Sequence, residues 1–79
     1  MKKNIEIEKH PSIHGCYMLD SNTYISDLLI DRINRKVKGI DKVFRRGNYS
    51  IFINKARLFD WYNVERDLLF LLKEENYIE

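Results

Sequence analysis

Seventy-nine residues suffice for one domain, residues 1–79, which buries only about 60% of the surface its unfolded chain exposes. Apolar residues at 44% beside charged residues at 33% exclude a disordered chain and describe a soluble globule, while a lone cysteine excludes an intramolecular disulfide framework. The net charge of +2 conceals a basic block: residues 32–57 carry nine Lys and Arg side chains against Asp41 alone, between ends that sum to −2 (1–31) and −4 (58–79).

Within residues 1–9, Ile5 and Ile7 alternate with Glu6 and Glu8, the pattern of a half-buried strand with a charged outer face. Pro11 interrupts it by removing an amide donor. Cys16–Leu19 forms a second extended piece after Gly15, either pairing back on the first or continuing it, and Asp20-Ser21-Asn22 is a turn.

A helix starts near Ser26 or Asp27, whose side-chain oxygens accept the free amides of a first turn. Leu29, Ile30, Ile33 and Val37 recur at helical spacing, and Gly39 is a left-handed stop followed by apolar Ile40. The stretch Val43–Asn54 then reads as a hairpin, with Gly47-Asn48 suited to the positive φ of a two-residue turn. That loop sets Phe44 opposite Ile51, Arg46 opposite Tyr49 and Val43 opposite Phe52. Asp60 caps a second helix whose apolar positions are Trp61, Val64, Leu68, Leu71 and Leu72. Strands and helices in this order predict an α+β fold, a small antiparallel or mixed sheet of three to four strands with two helices packed on one face. No signal-type apolar segment precedes a cleavage site, and the longest apolar run, Leu68–Leu72, is too short for a bilayer. A cytoplasmic chain without membrane contact is expected.

Three groups of side chains invite a functional reading. His10, His14 and Cys16 place soft-metal ligands within a short stretch, but a fourth ligand is missing, and two solvated imidazoles beside a buried thiol explain them as well; no metal or cofactor is expected. A Cys16–His14 dyad lacks an acidic orienter and oxyanion donors, so catalysis is not expected. The basic block is the strongest signal. Lys42, Arg45, Arg46, Lys55 and Arg57, with Tyr49 at the hairpin tip and Tyr62 on the second helix, form the expected partner-binding set.

At Gly39-Ile40-Asp41-Lys42-Val43-Phe44, then Gly47-Asn48-Tyr49 and Asp60-Trp61, the chain resembles the N-terminal domain of NifU-like iron-sulfur scaffold proteins. Pro11 stands for one proline of that family's Thr-Pro-Asn-Pro signature, while His10, Ser12 and Ile13 replace its other positions and Asn48 replaces an acidic turn residue. The cluster-ligating Cys-x-x-Cys pair belongs to a separate domain of the family and is absent here. The resemblance implies an accessory, scaffold-like unit in iron-sulfur cluster assembly that binds protein.

The expected function is accordingly non-catalytic protein binding, with the basic hairpin steering an acidic partner. Two alternatives use the same residues: a small nucleic-acid-binding protein built on block 32–57, and a mobile-element-encoded inhibitor of a nucleic-acid-processing enzyme.

Overall fold

The computed structural model describes residues 4–78. Its elements run β1 (Ile5–Lys9), β2 (Cys16–Ser21), α1 (Asp27–Lys36), β3 (Ile40–Gly47), β4 (Ser50–Lys55) and α2 (Trp61–Glu74). Whatever the sequence suggested for residues 1–3 and 79 lies outside the described residues. The four strands form one sheet in the order β1-β2-β4-β3, antiparallel at every pairing. Ile5–Leu19 is therefore two strands joined by a loop, not one bent strand.

Local chemistry sets the helix starts where the sequence places them. Ser26 Oγ accepts the Leu29 amide at 3.1 Å, and the Asp60 carboxylate accepts the Tyr62 amide at 3.3 Å. α1 stops one residue short of Val37, whose extended backbone turns away while its side chain stays buried. Gly39 follows at φ +85°, and Ile40 opens β3.

Two expectations about turns are corrected. Asp20 and Ser21 belong to β2 rather than to a turn, because the Ser21 amide donates to Tyr49 O at 2.7 Å and prolongs the ladder. In the β3–β4 hairpin, Gly47 pairs with Ser50, so Asn48-Tyr49 forms the tip; neither Gly47 nor Asn48 has positive φ. A register shift between Arg45 and Gly47 inserts one residue. Phe44 consequently lies opposite Phe52, Val43 opposite Ile53 and Arg45 opposite Ile51, each one position from the expected pairing.

Alternation along the strands divides the sheet. Ile5, Ile7, Tyr17, Leu19, Val43, Ile51 and Ile53 point to one side, where they meet Leu29 and Ile33 of α1 and Val64, Leu68, Leu71 and Leu72 of α2 in a single core. Both helices thus cover the same face. The opposite face carries no helix. No helix among the described residues is long and apolar enough to cross a membrane.

Candidate functional site

The uncovered face is built by the even-numbered strand residues apart from Ile40, which precedes a register shift and packs against the core, and Cys16, which is buried; the composition of the face changes from one edge to the other. On β1 stand Glu6 and Glu8, both exposed; β2 adds Met18 and Asp20. In the centre and at the far edge come Phe52 of β4 with Lys42, Phe44 and Arg46 of β3. The register places Glu8, Met18, Phe52 and Phe44 in one row across the sheet. Glu6 and Asp20 lie in the row beside it. The acidic and basic edges are three strand spacings apart, about 14 Å.

The apolar centre is an aromatic pair flanked by cations. Phe44 and Phe52 have ring centroids 5.3 Å apart and planes tilted by 40°. Lys42 Nζ stands 5.8 Å from the centre of Phe44. The Arg46 guanidinium lies 5.5 Å from the centre of Phe52, with Nη1 3.5 Å from Met18 Sδ. His10, one residue beyond β1, turns its ring to within 6.0 Å of the Phe52 ring. Large apolar rings left half-open on a sheet face, with charges around them, have the anatomy of a contact surface: an apolar middle and a polar rim.

The seven residues expected to bind a partner are distributed over separate regions. Lys42 and Arg46 share the open face. Arg45, one residue from Arg46, projects to the helix side and is held there by Ile25 O at 2.6 Å, Gly47 O at 2.9 Å and the Asp27 carboxylate at 2.8 Å. It also lies 5.4 Å from the centre of the Tyr24 ring. This guanidinium anchors the hairpin to the entrance of α1 instead of standing free at the tip.

Tyr49 occupies the tip and is 55% exposed. At the other end of β4, Lys55 Nζ donates to Ala56 O and Phe59 O, and Lys55 and Arg57 line an open cleft of about 500 Å³ with His14 and Gly15. Tyr62 is on the solvent side of α2.

The histidine and cysteine cluster is not assembled. His10 Nδ1 accepts the amides of Ser12 and Ile13 at 3.0 and 2.9 Å, which orients its ring toward Phe52. Cys16 is buried, and burial pushes its thiol above the ordinary range, which disfavours the thiolate a nucleophile or ligand needs. No group of three metal-binding side chains comes together among the described residues.

Sequence reasoning missed Phe44, Phe52 and Met18 as surface residues, together with the acidic edge that faces the same way. The signal was present as strand alternation, but the wrong hairpin register set Phe44 and Phe52 on opposite sides. Comparisons with protein-family models, curated proteins and solved structures find no match to this chain.

Proposed function

We propose that the chain is a non-catalytic protein-interaction module whose helix-free sheet face receives a protein surface that is acidic where it meets β3 and β4. The observation that carries this reading is the cluster of Lys42, Phe44, Phe52 and Arg46 on that face. The two cations steer an acidic surface at long range, and the aromatic rings supply the apolar area that desolvates on contact. Glu6, Glu8 and Asp20 on the same face favour a partner of mixed charge over a uniformly negative polymer. A polyanion crossing the strands would reach them within about 14 Å of the basic edge.

The sequence resemblance at Gly39–Phe44 and Asp60-Trp61 supports an accessory, scaffold-like role in iron-sulfur cluster assembly, exercised through binding rather than cluster ligation. A reducing cytoplasm is its proposed setting, in which Cys16 stays a buried thiol.

A second reading, single-stranded nucleic acid, draws on the same aromatic pair, since adjacent rings beside an arginine suit base stacking. Titrating the isotopically labelled chain with triglutamate, short enough to stay on the β3–β4 half of the face, and with oligonucleotides, each at low and high salt, separates the two. The proposed module shows amide shifts at Lys42, Phe44, Arg46 and Phe52 with the acidic peptide. Tighter, steeply salt-dependent binding of an oligonucleotide at those amides favours the second reading instead. Shifts confined to α2, or none with either probe, overturn both.

A further inference from the structure

We infer that the partner seated on the open face is a second copy of this chain, packed sheet against sheet about a two-fold axis parallel to the strands. The inference rests on the reading of that face as protein-binding and gives the partner an identity. Its basis is the order of charge across the sheet: acidic on β1 and at Asp20 of β2, apolar at Met18 and Phe52 in the centre, basic on β3.

Two sheets facing each other stand about 10 Å apart. A two-fold axis along the strands reverses left and right while preserving height along the strand. β1 of one copy then lies over β3 of the other, and β2 lies over β4. Glu6 of each copy meets Arg46 of its mate, Asp20 approaches the same Arg46, Glu8 stands over Phe44 with Lys42 one row along the strand, and Met18 covers Phe52. Because the contact is isologous, each of these pairings occurs twice.

The competing symmetric arrangement, with the axis perpendicular to the strands, stacks β1 on β1 and β3 on β3. It sets Glu6 and Glu8 against their own kind and Lys42 and Arg46 against theirs. Charge selects the first arrangement. Pairing through the β1 edge is disfavoured for a similar reason, since antiparallel β1 strands centred on Ile7 place Glu6 directly opposite Glu8.

Four strands about 18 Å long at about 4.8 Å spacing offer a footprint of roughly 350 Å² per copy, well below the ~800 Å² per side of a standard interface. So small a contact belongs with weak, transient associations. A partner of higher affinity displaces the second copy readily.

Sedimentation of the full chain at concentrations up to about 1 mM tests the inference through charge exchange. The variant carrying Glu6→Lys and Glu8→Lys has basic side chains on both edge strands of the face, with Asp20 left acidic between them, and the variant carrying Lys42→Glu and Arg46→Glu has acidic side chains on both edges. Each alone loses self-association by about tenfold or more, whereas an equimolar mixture forms a heterodimer about tenfold tighter than the wild-type dimer. Mixed-label wild-type protein, which needs no substitution, shows intermolecular contacts between Met18 methyl and Phe52 ring protons.

A wild-type chain that remains monomeric throughout, with no association in the mixture, overturns the inference. So does undiminished self-association of both variants. In either case, triglutamate shifts at Lys42 and Phe44 would leave the protein-binding face standing with a different partner, and their absence would remove that reading too.

Discussion

The indole of Trp61 lies flat on the phenol ring of Tyr17, with centroids 3.5 Å apart and planes 5° from parallel. The stack ties the first residue of α2 to the second residue of β2. Replacing Trp61 with Ala removes this contact and opens space beside Tyr17, at a cost of about 2–3 kcal/mol. For a chain of this size the melting temperature falls by roughly 10–20 °C, read by circular dichroism because the chain has a single tryptophan to lose. A change of less than a few degrees would show that the stack contributes little.

Gly39 combines a left-handed backbone with close neighbours. A Cβ there would sit 2.7 Å from the Phe59 ring and 2.8 Å from Val64 Cγ2, at φ +85°. Gly39→Ala therefore incurs both the backbone penalty and overpacking, about 2–4 kcal/mol together. Urea denaturation should show a lower midpoint with little change in slope.

Asn34 closes the free edge of β3. Its Oδ1 accepts the Val43 amide at 3.1 Å and its Nδ2 approaches Val43 O at 3.5 Å, so the side-chain amide stands where another strand would pair. Asn34→Ala is expected to cost about 1 kcal/mol and to raise aggregation on heating, followed by light scattering. Aggregation equal to wild type at matched unfolded fraction would count against the edge-guarding role.

Arg45 and Arg46 are neighbours in sequence with different duties. Arg45→Ala loses the bonds to Ile25 O, Gly47 O and Asp27, lowering stability by about 1–2 kcal/mol without removing a cation from the open face. Arg46→Ala should leave stability within about 0.5 kcal/mol and weaken capture of acidic peptides. Thermal melts paired with peptide titrations of both variants distinguish them, and the opposite pattern would reverse the assignment.

Burial raises the pKa of the Cys16 thiol above 9.0; burial, then Glu65 and Asp60, raise that of the Tyr17 hydroxyl above 10.0. Both groups are neutral when protonated, so the folded chain retains protons that the unfolded chain releases first. Their contribution to stability is complete below those ordinary values and declines as pH rises through them toward the folded ones. Melting temperature should fall from about pH 9 upward. Tyr17→Phe keeps the ring and should flatten the part of the decline above about pH 10; an unchanged slope would place the titrating group elsewhere.

Much of this architecture is legible in the chain because it depends on residues close in sequence. Ser26 and Asp60 cap helices through amides two or three residues away. Ile5 and Ile7 reveal a half-buried strand by alternation, and Leu68, Leu71 and Leu72 a helix face by spacing. Hydrophobic period and capping chemistry are local, so they survive without knowledge of the fold.

What tertiary structure alone decided is which side chains share a surface. One inserted residue near Arg46 moves the hairpin register by a position, and a slip of one carries a side chain to the other face of a sheet. That brought Phe44 and Phe52 together. Arg45 was drawn from the tip by Ile25 and Asp27, far away in sequence. The basic block was visible as composition, but its division between anchoring and open face followed from strand pairing, where groups distant along the chain compete for the same neighbours.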